Sequence, residues 1–126
     1  MVFLIFGHTA EEPPLRIGPL PSFRVAGALI QDHAGATVAR HNGERWLVGG
    51  KPYYRMDCEG PVTVQLEGCS GGESPLGPFM HFSLLNETAF ASRDLFAHYR
   101  EQDDSWHLHR TDASCSALVV TPQQVI

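Results

Sequence analysis

Four of the seven histidines carry the sharpest chemical suggestion in the chain. His98, His107 and His109 all fall within Leu95–Arg110, LFAHYREQDDSWHLHR, and His81 lies upstream in Phe79–Leu85, FMHFSLL. An imidazole can ligate a divalent metal, shuttle protons near neutral pH or, once protonated, hold an anion. His107 and His109 are separated by one residue, so on a strand both point to the same face. With His98 facing them from the neighbouring strand and His81 as a fourth candidate, the set suggests a divalent-metal centre. The plainer reading is the solvated face of a strand pair.

A second suggestion comes from Arg40 and Arg45, which flank Asn42-Gly43. Asn-Gly favours the tight type I′ hairpin turn, because both central positions need positive φ. That turn would set Ala39 opposite Trp46, Val38 opposite Leu47 and Arg40 opposite Arg45. Like charges face to face are unfavourable. The two arginines then either bend into solvent or grip an anion together.

Other chemistries lack their parts. There is no GxSxG elbow, and Cys58, Cys69 and Cys115 stand beside acids or serines rather than beside cations that would activate a thiol. Gly49-Gly50-Lys51-Pro52 lacks the frame of a phosphate loop. Three cysteines without a CxxC match no zinc framework and point to a reducing compartment, the cytoplasm. Cys58 and Cys69 are the pair that could close around a loop.

The stretch Ser74–Asn86, SPLGPFMHFSLLN, resembles the second motif of the cupin family, which carries Pro-x-Gly, then His, then Asn. The resemblance implies a metal-binding β-barrel with a histidine of this strand among the ligands. The family's ligand position falls on Met80, with His81 one residue later. Its first motif, HxH with a following Glu, has no counterpart earlier in the chain, and His107-Leu108-His109 runs into Arg110 and Thr111. The likeness is local and is not a family assignment.

The elements that must position these residues read as short strands. Leu95–Arg110 alternates on both arms of a hairpin. With Asp103-Asp104 as its central turn residues, the opposing pairs are Glu101/Trp106, Arg100/His107, Tyr99/Leu108 and His98/His109. Leu95, Ala97, Tyr99, Trp106 and Leu108 then face the core, while Phe96, His98, Arg100, His107 and His109 face away. A slip of one residue would exchange the partners. Upstream, Phe23–Ile30 (with a bulge at Gly27), Ala36–His41, Arg45–Val48, Tyr53–Cys58, Val62–Glu67, Phe79–Leu85 and Thr88–Ala91 read as strands, and Ala117–Thr121 as a buried closing strand. Glu59-Gly60-Pro61 reads as a turn, and Gly49–Pro52 and Gly68–Pro78 as loops.

This spacing predicts an all-β, single-domain antiparallel sandwich or barrel of about nine to ten short strands, with a meander-rich C-terminal half. The whole of 1–126 reads as one domain: an apolar start plus a proline-rich arm over 1–22, and a β core over 23–126. Met1–Phe6 is apolar but lacks a basic flank and is too short for a signal peptide or a membrane span. The arm could cross between sheets or reach a neighbouring subunit.

At 126 residues, 43% hydrophobic and 18% charged, the chain can build a core without disulfides or metals. The net charge of −5 comes with no basic stripe, which argues against nucleic acid as a partner. The function expected is a small soluble, non-enzymatic binding or interaction module that self-associates or takes a protein or small-molecule ligand. The alternative is a metal- or small-molecule-binding β-barrel using the histidines of the 95–110 hairpin.

Overall fold

The computed structural model describes residues 1–7, 13–69, 76–109 and 113–123. Among them every regular element is a strand: β1 Val2–Gly7, β2 Leu15–Leu20, β3 Phe23–Ala26, β4 Leu29–Asp32, β5 Thr37–His41, β6 Trp46–Val48, β7 Lys51–Tyr53, β8 Arg55–Glu67, β9 Leu76–Leu85, β10 Thr88–Ala91, β11 Asp94–Arg100, β12 Ser105–Leu108, β13 Ser114–Cys115 and β14 Ala117–Pro122. No helix among them is long and apolar enough to cross a membrane. The all-β, antiparallel expectation holds, with 14 strands rather than nine or ten.

The sheet follows one path, β13-β12-β11-β10-β9-β8-β14-β3-β4-β5-β6-β7, and β1 branches from β8 with β2 on its far side. The ends of the path, β13 and β7, are not paired with each other, so the sheet does not close into a barrel. It folds over one core instead, as a sandwich does. Trp46, Trp106, Phe6, Phe23, Phe82, Leu4, Ile30, Met56, Leu84 and Leu118 are fully buried there. Two indoles fasten the fold-over. Trp46 Nε1–H donates to the Asn86 carbonyl at 2.8 Å, and Trp106 Nε1–H donates to the Gly27 carbonyl at 3.0 Å. A buried indole needs such a partner, because an unpaired N–H in an apolar interior is costly.

β8 is the strand that the others join. One edge pairs with β9 along most of its length. The other edge is shared: β1 takes Arg55–Asp57 and β14 takes Val62–Glu67. The expected turn at Glu59-Gly60-Pro61 is a bulge within this strand. The register passes from Glu59 opposite His81 to Val62 opposite Phe79, one residue extra on β8. Proline lacks the N–H for a ladder bond and is tolerated in strands at such bulges. A Cβ at Gly60 would run into the Phe79 carbonyl and the Met80 backbone, so glycine is what lets the strands approach. β9 starts at Leu76, inside the stretch read as a loop, and a second irregularity between Val62 and Val64 carries the pairing out to it; residues 70–75 of that loop lie outside the described residues.

Other expectations shift in the same way. Phe23–Ile30 is a hairpin, β3–β4, turning at Gly27-Ala28, with Gly27 at φ +56°. Tight turns with two positive φ values stand instead at Gly49-Gly50, between Val48 and its partner Lys51, and at Ser92-Arg93, between Ala91 and its partner Asp94. The proline-rich arm does not extend away over its described part: β2 pairs antiparallel with β1. Residues 8–12 of the arm lie outside the described residues.

Candidate binding face

Strand alternation sorts β8 and β9 into two faces. Met56, Cys58, Phe82 and Leu84 point into the core. Arg55, Asp57, Glu59, His81, Ser83 and Leu85 therefore point outward. The ladders align these outward residues in rows. One row runs Ile5, Asp57, Ser83, Phe90, Leu95 across β1, β8, β9, β10 and β11. The next runs Arg55, Leu85, Thr88, His98, His107. Glu59 opposite His81 begins a third.

Ile5, Arg55, Asp57, Glu59, His81, Ser83, Leu85, Phe90 and Arg93 line an open cleft of about 570 Å³ on this face. Its polar groups differ in how they are held. The Arg55 guanidinium donates through Nε to both Asp57 oxygens, at 3.0 and 2.8 Å. That hydrogen bond, with the attraction of the Asp57 charge, raises the Arg55 pKa above its ordinary value. The Ser83 hydroxyl donates to Asp57 Oδ1 at 2.7 Å. Arg93 sits in the β10–β11 turn, where Ser92 and Arg93 take φ of +51° and +73°, a conformation uncommon for non-glycine residues. Its side chain is at the cleft rim. Apolar contact area comes from Leu85, 41% exposed, and neighbouring Leu95, 39% exposed, with Ile5 and Phe90 half-buried.

The expected histidine site is only partly assembled. The hairpin closes through four residues, Glu101–Asp104, so Arg100 faces Ser105, Tyr99 faces Trp106, His98 faces His107 and Ala97 faces Leu108. Two more loop residues than expected leave Ala97–Arg100 and Trp106–Leu108 on their expected faces but change every partner. His98 stacks on His107, ring centroids 5.7 Å apart and 23° from parallel. His109 is exposed past the end of β12. His81 is not part of the group. The ladder sets His98 beside Thr88 and Leu85, so His81 lies about 13 Å along β9 and two strand spacings, about 10 Å, across. Among the described residues no three His, Cys, Asp or Glu side chains are arranged to hold a metal ion.

His107 is also engaged. Its Nε2 lies 3.0 Å from Asp103 Oδ2 and 3.0 Å from Ser105 Oγ, while the Ser105 hydroxyl donates to Asp103 Oδ1 at 2.7 Å. These bonds, Ser105 first and His107 next, hold the Asp103 carboxyl below the ordinary carboxylate range. The Tyr99 hydroxyl donates to Asp104 at 2.5 Å, and burial, with that bond next, pushes its pKa up to about 12. These contacts brace a hairpin tip.

One core-face expectation is reversed. Phe90 pairs with Leu95 and Ala89 with Ala97, which makes Phe96 an extra residue in β11. The bulge turns Phe96 inward onto Phe79 and Phe82, centroids 5.7 and 6.5 Å away, and leaves Leu95 outside.

Arg40 and Arg45 are not opposite each other. The loop after β5 spans Asn42–Arg45, with His41 facing Trp46 and Arg40 facing Leu47. The Asn42 side chain accepts the Glu44 and Arg45 amides at 2.9 and 2.8 Å, an Asx turn that replaces the tight turn. Arg45 reaches over the Tyr54 ring, 5.7 Å from its centroid. The cross-strand arginine pair that suggested an anion site is therefore not formed.

Sequence reasoning missed the cleft because its members come from five separate segments. The alternation of Arg55, Asp57 and Glu59 against Met56 and Cys58 was the available signal. Reasoning also missed His41, which is buried edge-on against Trp46 at 5.0 Å. Its Nδ1 accepts the Gly43 amide at 3.1 Å, and its Nε2 has no partner among the described residues.

Comparison with known protein families, curated proteins and solved structures gave no match, so the functional reading rests on the geometry of the outer face.

Proposed function

We propose that this protein is a non-enzymatic interaction module that binds a second copy of itself through the outer face of β1, β8, β9 and β10. The observation that carries the reading is the make-up of that face: exposed Leu85 and Leu95 beside half-buried Phe90, bordered by Arg55 and Arg93 on one hand and Asp57 and Glu59 on the other, with half-buried Ile5 beyond Asp57. Contiguous exposed apolar surface with a polar border marks contact sites. A face that carries both signs of charge is self-complementary about a two-fold axis, since the cation of one copy can meet the carboxylate of the other. Catalysis has less support. The Ser83 hydroxyl donates to Asp57, but that carboxylate is held by the Arg55 guanidinium through both oxygens, a pairing that makes it a poor proton acceptor. The same reading places the protein in the cytoplasm, which its three free thiols support.

Sedimentation velocity over a concentration series tests this. Wild type is expected to dimerise reversibly, and more weakly at high salt. Leu85→Asp and Arg93→Glu are expected to stay monomeric with unchanged Tm. A wild type that is monomeric at every concentration overturns the reading. The second reading is a small-molecule ligand in the same cleft, because about 570 Å³ falls within the usual range of ligand sites. A monomer whose Tm rises with a carboxylate ligand, but not in Arg93→Glu, would establish it.

A further inference from the structure

Cys69 and Cys115 meet at the far end of β8, away from the cleft. The β8–β14 ladder ends with Glu67 opposite Ala117. Beyond it the two segments stay together. The Ser116 amide donates to the Glu67 carbonyl at 3.0 Å, and the Ser116 hydroxyl donates to the same carbonyl at 3.2 Å. Gly68 lies so close to the Ser116 side chain that a Cβ there would collide with it. The next residues out are Cys69 and Cys115, so the close approach of Gly68 to Ser116 brings the two cysteines to neighbouring positions. Cys58 is separated from them by the rest of β8 and is buried opposite Phe82.

We propose that Cys69 and Cys115 form a redox site, a thiol pair that closes to a disulfide and reopens, joining the end of β8 to the β13–β14 junction. The β8–β14 ladder itself ends at Glu67 and Ala117, but its register carried two residues further sets Cys69 across from Cys115, and facing positions of an antiparallel pair have Cβ atoms about 4.5–5.5 Å apart, close to the roughly 3.5–4.5 Å that a disulfide needs. The oxidant is a small-molecule disulfide of the glutathione type. Cys69 is half-buried and Cys115 is buried, so Cys69 reacts first. Its thiolate attacks one sulfur of the small disulfide, a mixed disulfide forms, and the other half leaves as a thiol. The Cys115 thiolate then attacks the Cys69 sulfur, the protein disulfide forms, and the second small thiol leaves. Two protein thiols lose two electrons and two protons, and one small disulfide becomes two thiols. Burial, with the Cys69 neighbour next, pushes the Cys115 thiol up to about 12, so the second exchange speeds up as pH rises.

The bond would close the chain from 69 to 115, a loop that contains β9 through β13. It constrains the unfolded chain over the half of the sheet that carries most of the outer face.

The full chain equilibrated in buffers from reduced to oxidised glutathione, then alkylated under denaturing conditions and mapped by mass spectrometry, tests this. Expected is the loss of two of the three alkylatable thiols, a peptide linking Cys69 to Cys115, a still-alkylated Cys58, and a Tm increase on the order of 10 °C that dithiothreitol reverses. Cys69→Ser, at a half-buried position, is expected to keep its remaining thiols in the same buffers. Three alkylatable thiols persisting in oxidised glutathione, a mixed disulfide that stops at Cys69, or a bond to Cys58 would each overturn the proposal.

Discussion

The hairpin tip and the outer cleft hold similar inventories of polar residues and use them oppositely. At the tip, Asp103, Ser105 and His107 bond to one another, Tyr99 bonds to Asp104, and Trp106 ties the strand to Gly27. In the cleft, Arg55, Asp57 and Ser83 are bonded, while Glu59, His81 and Arg93 make no side-chain hydrogen bond or ion pair among the described residues. Side chains that spend their hydrogen bonds on their own chain stabilise it. Side chains left unbonded on a concave face are the ones able to meet something else.

The contrast is broken most severely at Trp106. Trp106→Ala removes a fully buried indole and leaves the Gly27 carbonyl without its donor. A loss of about 3–5 kcal/mol is expected in urea unfolding at equilibrium. A change under about 1 kcal/mol would mean that the tip does not brace the fold.

A smaller effect is expected at Asp103, and it depends on pH. Its carboxyl titrates lower in the folded chain than in the unfolded one. Its contribution is therefore full above the unfolded carboxylate range, about pH 4, and is lost as pH falls through the folded pKa. Asp103→Asn should flatten the acid limb of the Tm–pH curve by lowering Tm evenly above about pH 4 and leaving the acid end nearly unchanged. An unaltered acid limb would show that Asp103 and His107 are merely adjacent.

The smallest effects should come from the cleft. Glu59→Gln and His81→Gln should each leave unfolding free energy within about 0.5 kcal/mol of wild type. A larger loss from either would make the cleft a structural surface like the tip.

The sequence showed the fold class and the side-chain faces better than it showed partners. Alternation assigned Tyr99, Trp106 and Leu108 to one side and His98 and His107 to the other, and the structure agrees. Register depended on features that local patterns do not carry. Asn42 holds a four-residue loop by accepting two amides, which a dipeptide preference does not reveal. Phe96 is displaced by a bulge, so Leu95 and Phe96 exchange roles. Gly60-Pro61 looks like a turn, yet the close approach of the Phe79 carbonyl makes it a kink in one long strand. The cleft was illegible for a related reason. Ile5, Asp57, Ser83 and Phe90 become neighbours only through ladders that join distant parts of the chain.

The shared edge of β8 has a consequence for how the chain reaches this state. β9 follows β8 in sequence, but β1 and β14 come from opposite ends of the chain. Both pairings must overcome the entropy of closing long loops, which slows non-local contacts relative to hairpins. Until both ends arrive, the longest strand presents one unpaired edge, and such an edge is a template for other chains. Competition between that edge and its own termini makes refolding yield a function of protein concentration.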